Sequence, residues 1–313
     1  MRATRLRWSR RLSLALFIAV FAAAGCAEDS GASPVEPGPG NGGATGIPSQ
    51  PFDILLGGEY NTVEQAHQQI RNRCLADAGY PQNLELFGLW RPPDPFEGLK
   101  VSARSYGPTS EDEARRLGFG MDSAGEPARI VSFDSGYDAN LERCSTEAWV
   151  ELGPQAQETM ANYMDLFNLL GPYRLEVELP EDLPAKLYDC MVGKGYQTDR
   201  EAFLSMPSYR NYDVQLGSLE HGKEEAWQPK NEPGTVQVGP PIPPRRYKPT
   251  AAEVDLAVAW FQCDQQVGWV QAQMAAAFAV QQRYVDRYEA QITELNAQLA
   301  ALARTAAALA SQG

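Results

Sequence analysis

The chain has little of the side-chain chemistry on which most enzymes depend. It holds only 2 histidines, His67 and His221, and 5 cysteines among its 313 residues. It contains no Gly-x-Ser-x-Gly elbow, no Ser-x-x-Lys pair and no His-Glu-x-x-His zinc motif. Because these nucleophiles, bases and ligands are missing, the sequence predicts no catalytic residue, no metal site, no cofactor and a protein that is not an enzyme.

Neither histidine stands in a catalytic pattern. His67 lies on the apolar face of a predicted helix, which favours a partly buried structural role. His221 lies within a run of charged residues and is expected in solvent. Paired acids such as Glu111 and Glu113 leave a carboxylate-based hydrolase as the least favoured alternative, because an acidic surface contains such pairs in any case.

Basic side chains are also outnumbered. The chain has 27 lysines and arginines against 40 aspartates and glutamates, a net charge of −13. Residues 1–25 carry five of the arginines and no acid, so a chain that begins at Cys26 keeps 22 basic side chains and a net charge near −18. A polyanion of this strength repels phosphate groups, so nucleic acid and anionic lipid headgroups are not expected as partners.

The apolar run near the start is too short to span a bilayer permanently. Residues 12–24 are thirteen residues with Ser13 as the single polar side chain, and they follow five arginines. This order is typical of a secretory signal. The run ends in Ala-Ala-Gly-Cys, which is similar to the lipobox of bacterial lipoproteins. The sequence therefore predicts a signal peptide over residues 1–25 and lipidation of Cys26, with secretion of a free Cys26 as the alternative.

A linker follows the predicted lipid. Ten of the 24 residues from 27 to 50 are glycine or proline, a composition that cannot bury a core and behaves as a flexible spacer. Two or more acyl chains on Cys26 anchor a protein stably, because each buried methylene contributes about 0.8 kcal/mol. The expected location is the extracytoplasmic face of the cell membrane.

The four remaining cysteines are predicted to form two disulfides, because an exported protein meets an oxidising environment. No two of them have the Cys-x-x-Cys spacing of a zinc site. Four cysteines allow three pairings. We favour Cys74 with Cys144 and Cys190 with Cys263, which are 70 and 73 residues apart and would close two halves of similar length.

A short pattern, Cys-x-x-x-x-Gly-Tyr, begins at Cys74 and again at Cys190. Each copy predicts a helix that ends in a left-handed glycine, Gly79 or Gly195, with the tyrosine packed over the last turn. The first of these helices is expected to begin near Thr62. Because extended, turn-rich sequence follows each copy, we expect an α+β fold of two disulfide-stapled halves that arose by internal duplication. The predicted organisation is a signal peptide (1–25), lipidated cysteine and linker (26–50), first half (51–170), second half with a proline-rich strap (171–249) and a long C-terminal helix (250–313).

These features together resemble a group of uncharacterised lipoproteins from actinobacteria, which share a lipobox, a Pro/Gly linker and Cys-[Leu/Met]-x-x-x-Gly-[Tyr/Phe/Trp] units. Residues 111–120 (Glu-Asp-Glu-Ala-Arg-Arg-Leu-Gly-Phe-Gly) are similar to their acidic, Ala, Arg, Gly-aromatic-Gly segment. Residues 249–253 (Pro-Thr-Ala-Ala-Glu) look like their Pro-Thr-x-x-Glu helix start. The resemblance covers most of residues 55–300, and it implies an architecture but no activity.

Residues 250–313 carry the strongest periodic pattern. Thr250 and Glu253 fit a capping box, and apolar residues then recur every seven positions in two seams. The pattern predicts one long helix, which either packs on the chain's own helices or forms a coiled coil through residues 278–309 with a second copy or a protein partner. Gln281 interrupts one seam, and would set the register of a coiled coil or mark an exposed position. The seams are Trp260, Val267, Met274, Gln281, Tyr288, Leu295, Leu302 and Leu309, and Phe278, Val285, Ile292, Leu299 and Ala306.

Aromatic residues in two loops indicate a possible binding surface. Trp90 and Phe96 flank a proline-rich loop, and Tyr209 and Tyr212 form a second cluster. Aromatic faces with polar tips suit sugar or peptide recognition, although covering a core is the favoured role for the same residues. The leading hypothesis is a non-enzymatic, lipid-anchored interaction or accessory protein of the cell envelope. A receptor for a small ligand or a wall glycan is the alternative.

Overall fold

The computed structural model describes residues 50–87, 93–220 and 227–310. The predicted signal peptide, Cys26, almost all of the linker, Trp90 and His221 lie outside these residues. The described residues belong to one compact unit. None of their helices combines the length and the apolar character that crossing a membrane requires.

The described residues are mostly helical, so the α+β expectation overestimated the β content. One long helix lies at the start of the body, two lie near its middle and two lie at its end, with shorter helices among them. The helices are α1 (Gly57–Asp77), α2 (Gln82–Phe87), α3 (Glu111–Leu117), α4 (Ser135–Leu152), α5 (Ala156–Leu170), α6 (Leu183–Gly193), α7 (Arg200–Ser205), α8 (Ala251–Val267) and α9 (Trp269–Ala310).

The strands that the structure describes are short, and each ladder involves the proline-rich strap. β1 (Ile130–Ser132) pairs antiparallel with β3 (Val236–Val238), and β2 (Ser218–Leu219) pairs antiparallel with β4 (Tyr247–Lys248). Proline has no backbone N–H and cannot donate to a ladder. The prolines on both sides of β3 and β4 therefore keep these ladders to two or three residues.

The expected disulfides are present. Cys74 is bonded to Cys144 and ties α1 to α4, and Cys190 is bonded to Cys263 and ties α6 to α8. Loops of 70 and 73 residues each reduce the entropy of the unfolded chain enough to contribute about 4 kcal/mol in the loop-closure model.

α1 and α6, the helices that carry Cys74 and Cys190, end in the same way, as the repeated pattern predicts. Gly79 and Gly195 adopt φ of 98° and 91°. The N–H of Tyr80 donates to the carbonyl of Leu75 at 2.9 Å, and the N–H of Tyr196 donates to Met191 at 3.0 Å. These bonds satisfy carbonyls that the end of a helix would leave without partners. The helix start expected at Thr62 was wrong: α1 begins at Gly57, and the Thr62 hydroxyl donates to the carbonyl of Gly58.

The C-terminal helix is interrupted where the sequence indicated one continuous rod. α8 ends at Gly268, which adopts a left-handed φ of 73°, and α9 starts again at Trp269. A left-handed residue cannot continue a right-handed helix, so the single glycine divides the seam. α9 leaves helical geometry a second time at Tyr288 (φ −114°, ψ 17°).

The apolar seams of α9 pack on the chain's own helices. Val285, Ile292 and Leu299 lie in the largest hydrophobic cluster, together with residues of α1 and α5. A polar link fixes the same contact: the Tyr163 hydroxyl accepts from the N–H of Leu56 and donates to Asn296, both at 2.7 Å. This arrangement is the intramolecular one of the two alternatives that the heptads allowed.

Gln281 is not exposed, so one of the two expectations for this residue was wrong. Its side chain is fully buried, and its amide nitrogen donates to the carbonyl of Leu99 at 3.3 Å. The glutamine therefore holds the Glu97–Leu99 turn against α9, which is why a polar residue interrupts the seam.

A second hydrophobic cluster lies between α6, α7 and α8. Leu187, Met191, Phe203 and Trp260 are its centre, and Trp269 at the start of α9 completes it. The second disulfide borders this cluster, whereas the first borders a smaller one that contains Leu75, Tyr137 and Cys144.

Replacing Leu299 with alanine tests the role of α9. We expect Leu299→Ala to lower the free energy of unfolding by about 2–5 kcal/mol, because it leaves a cavity in the largest cluster. Gln291→Ala, on the exposed face of the same helix, is expected to change it by less than about 0.5 kcal/mol. Urea denaturation followed by circular dichroism measures both, and equal midpoints for the two variants would contradict the intramolecular packing.

Candidate functional site

The four aromatic residues proposed for binding do not form one surface. Phe96 is fully buried in the largest cluster and Tyr212 is buried in the second one. Tyr209 stacks on Phe119 with ring centroids 3.9 Å apart. Trp90 lies outside the described residues. Phe96 and Tyr212 therefore cover core, and a ligand could reach neither ring without opening it.

The acids considered for hydrolysis are engaged in structural contacts. A hydrogen bond from Arg115 holds the pKa of Glu111 below its usual range, and Glu113 accepts from the hydroxyl of Thr109. Glu176 accepts from the Tyr284 hydroxyl at 2.7 Å. A lowered pKa leaves Glu111 without a proton at neutral pH, so it does not suit the role of a general acid.

Cys74, Cys144 and Glu147 bring their ligand atoms within 4.8 Å of one another. The two sulfurs are bonded to each other, so neither is a thiolate that could bind a metal. This group is therefore a disulfide beside an exposed glutamate.

A different place combines a cavity with polar atoms that have no partner. A cavity of about 320 Å³ lies between α1, α2, β1 and α4. Apolar side chains form one part of its wall, and they are Leu86, Pro127, Ala128, Ile130 and Leu141. Gln68, Arg71, Asn83 and Tyr137 form the polar part. We call this the Arg71 cavity. A few polar groups among apolar walls are typical of small-molecule sites.

Arg71 is the only cationic side chain among the described residues that line this cavity. Its Nε is buried without a hydrogen-bond partner, and it forms no ion pair with any described residue. Burial lowers the pKa of Arg71, and the charges of Tyr137 and Glu64 act in the opposite direction. A guanidinium remains charged in proteins, so this site contains a partly desolvated positive charge that Glu64 offsets only from a distance, since no described carboxylate forms an ion pair with it.

Two amide side chains of the cavity also have unused capacity. Asn83 is 5 % exposed, and its Nδ2 donates to the Tyr137 hydroxyl at 3.0 Å while its Oδ1 has no partner. Gln68 likewise has a buried Oε1 without a partner. Buried polar atoms in folded proteins are nearly always hydrogen-bonded, so a group of such atoms around one cavity requires an explanation.

Local structure brings these residues together. Gln68 and Arg71 are three residues apart on α1 and therefore face the same side. The disulfide at Cys74 holds that side of α1 against α4, which carries Tyr137. The left-handed turn at Gly79 reverses the chain into α2, which supplies Asn83. No motif in the sequence indicated these residues.

His67 lies elsewhere on α1 and is structural, as its apolar surroundings predict. Its ring stacks on Trp149 with centroids 3.8 Å apart, and its Nε2 lies 3.1 Å from the carbonyl oxygen of Ser145. Burial lowers the pKa of His67 to about 4, and the hydrogen bond to Ser145 offsets only part of this effect.

A second polar centre holds together the segments that carried the family resemblance. Glu253 is fully buried. Its carboxylate accepts from the N–H of Phe119 at 2.9 Å, the N–H of Gly217 at 2.6 Å and the hydroxyl of Tyr247 at 3.0 Å. Only half of the expected capping box forms: Thr250 caps the N–H of Glu253, but the Glu253 side chain turns away to these other segments.

The glycines around Phe119 make this contact possible. A Cβ on Gly118 would lie 2.5 Å from the Glu253 carboxylate, and one on Gly120 would overlap the ring of Tyr247. The Gly-aromatic-Gly segment and the Pro-Thr-x-x-Glu helix start are therefore two sides of one structural junction.

Comparison with protein-family models, with curated proteins and with solved structures finds no match for this chain.

The stability of the protein is expected to fall in mild acid because of His67. The folded state favours the neutral form of the ring, because the pKa of His67 is about 4 in the folded protein and 6.5 in the unfolded chain. The contribution is therefore complete above pH 6.5 and is lost as the pH falls from about 6.5 toward about 4, by about 3 kcal/mol in total. Urea titrations from pH 7.5 to pH 4.5 measure it. His67→Gln should show a smaller decrease over this range, and an unchanged decrease would contradict the assignment.

Glu253→Gln tests the junction. The amide would present N–H groups to donors that need an acceptor, so we expect the free energy of unfolding to fall by about 2–3 kcal/mol. Asp255→Asn makes the same chemical change at an exposed position of α8, and we expect little effect. Urea midpoints compare the two, and a neutral Glu253→Gln would show that the carboxylate is not required.

Proposed function

We propose that the mature chain is a lipid-anchored, non-enzymatic binding protein at the extracytoplasmic face of the cell membrane, and that its body is a receptor for a small organic anion. The lipobox-like segment and the linker after it support the anchoring. The observation that carries the receptor is Arg71, a partly buried cation at an accessible cavity, whose buried Nε has no hydrogen-bond partner and which forms no ion pair with a described carboxylate.

The energetic argument concerns what an uncompensated charge does to stability. Desolvating a guanidinium without an ion pair is unfavourable, and an aliphatic residue of similar size would leave the fold more stable. Residues that lower stability in this way are concentrated at functional sites. A bound carboxylate would supply the missing countercharge, with the two-point geometry that a guanidinium favours.

The side chains of the cavity favour binding over catalysis. The described lining residues offer amides, one guanidinium, one phenol and apolar groups, and they include no carboxylate, imidazole or thiol. Acid–base or nucleophilic catalysis needs one of these groups next to the substrate. The hydrolase alternative therefore receives no support from this site.

A protein partner is the second candidate function. Its basis was the seam at residues 278–309, as a coiled coil with a second copy or another protein. Because Ile292 and Leu299 lie in the chain's own core, such pairing would require α9 to leave α1 and α5. Light scattering on the mature chain distinguishes the two, since the receptor proposal expects a monomer.

We also propose that the two halves are related by duplication and that the chain belongs with the actinobacterial lipoproteins it resembles. The identical ends of α1 and α6 and the two disulfides of similar span support both proposals.

Replacing Arg71 with methionine tests the receptor. Methionine retains the aliphatic part of the side chain and removes the charge. We expect Arg71→Met to abolish the rise in melting temperature that small carboxylates cause, while the melting temperature without ligand stays equal or increases. Differential scanning fluorimetry with a panel of millimolar aliphatic carboxylates and amino acids measures both effects.

Arg73→Met is the matched control, because Arg73 is exposed on the same helix. It should leave the ligand response unchanged. If both variants lose the response equally, the effect is one of general charge and not of the cavity. If the wild-type protein responds to no compound of the panel, the receptor proposal is wrong.

A further inference from the structure

The polar groups of the Arg71 cavity include both hydrogen-bond donors and acceptors, and this combination identifies the class of ligand. Arg71 offers donors and a positive charge. The unpartnered atoms of Gln68 and Asn83 are carbonyl oxygens, which are acceptors. A simple carboxylate would satisfy the first group and leave the second unsatisfied.

The orientation of both amides is set by their own neighbours. The nitrogen of Asn83 is used by the Tyr137 hydroxyl, so its oxygen is the free end. Burial raises the pKa of Glu64, and a hydrogen bond from Gln68 offsets part of this rise. The nitrogen of Gln68 is therefore directed to Glu64, and its oxygen is again the free end.

The acceptors also determine what the cavity excludes. A second carboxylate would meet two carbonyl oxygens and no second cation among the described lining residues. An N–H or ammonium group would satisfy both oxygens. The remaining wall is apolar, and a volume of about 320 Å³ is at the lower end for small-molecule sites, which suits a ligand of few atoms.

We propose that the ligand of this cavity is an apolar α-amino acid, either free or as the C-terminal residue of a peptide. Its carboxylate pairs with Arg71, its nitrogen donates to the oxygens of Gln68 and Asn83, and its side chain lies against Leu86 and Ile130. The inference rests on the proposed receptor function, and it adds that the ligand carries a hydrogen-bond donor next to its carboxylate.

Isothermal titration calorimetry on residues 27–313, the mature chain without Cys26, tests whether the ligand needs a hydrogen-bond donor. The probes are L-leucine and 4-methylpentanoate, which has the same carbon skeleton and carboxylate but no amino group. We expect leucine to bind at least about tenfold more tightly, because the carboxylic acid leaves two buried acceptors unsatisfied. Leucinamide, which lacks the carboxylate, should not bind.

Gln68→Met assigns the difference to the cavity. It removes one acceptor with little change of shape, so it should weaken leucine binding and leave 4-methylpentanoate unchanged. Gln69→Met is the control, because Gln69 is the exposed neighbour on the same helix. The melting temperature of each variant without ligand shows that it is folded.

The outcomes separate the two proposals. Equal affinity for leucine and 4-methylpentanoate, with loss of both in Arg71→Met, would overturn the amino-acid assignment and leave the anion receptor standing. Binding of neither probe, or binding that Arg71→Met does not change, would overturn both. N-acetyl-L-leucine and Gly-L-Leu distinguish the sources: affinity equal to or above that of leucine indicates a peptide C-terminus, and loss of affinity indicates the free amino acid.

Discussion

The packing of α9 across α1 and α5 is the contact on which the rest of this structure depends. Phe52, Val63, Tyr163 and Leu299 meet in one cluster although they are far apart in the chain. No consecutive part of the sequence can close that core alone, because its apolar faces are contributed from both ends of the body. The Tyr163 link to Leu56 and Asn296 adds a polar contact whose geometry permits one register of α9.

The disulfides and the Glu253 junction act at the margins of this packing. Cys74–Cys144 ties α4 to α1 beside the main cluster, whereas Cys190–Cys263 joins α6 and α8, which contribute no residue to that cluster. Glu253 joins the loop at Phe119, the turn at Gly217 and the strap at Tyr247. A buried carboxylate with three donors thus connects these three segments by hydrogen bonds.

The Arg71 cavity lies where the first disulfide meets α2, and it departs from this pattern. Glu253 is buried and satisfied, whereas Nε of Arg71, Oε1 of Gln68 and Oδ1 of Asn83 are buried atoms without a hydrogen-bond partner. Other buried polar atoms of the described residues also lack partners, but these three line a single cavity. That contrast is what makes the cavity the functional candidate, since a fold that needed only stability would treat both places alike.

Local signals in the sequence predicted local structure well. The sequence predicted the helix ends at Gly79 and Gly195 correctly, because a positive φ depends on the residue at that position and not on distant contacts. The disulfide pairing favoured among the three possible ones, with separations of 70 and 73 residues, is the one observed. The helix start predicted at Thr62 was wrong because a capping residue is also accepted inside a helix when its hydroxyl donates back to a carbonyl. The Thr62 hydroxyl donates to the carbonyl of Gly58 in this way. The break in the helix at Gly268 was not predicted because the heptads continue on both sides of this glycine.

What the sequence determined by itself was therefore the helix ends at Gly79 and Gly195, the apolar face of α9 and a preferred pairing of the cysteines, all of which depend on residues a few positions apart or on simple spacing. Tertiary structure alone decided what the apolar face of α9 packs against, that Phe96 and Tyr212 belong to cores, and that Arg71 forms no ion pair with a described carboxylate. The reason is that burial and charge compensation depend on the groups that surround a side chain in the folded protein. For Arg71 these groups include Tyr137, which is remote in sequence and is brought near by a disulfide.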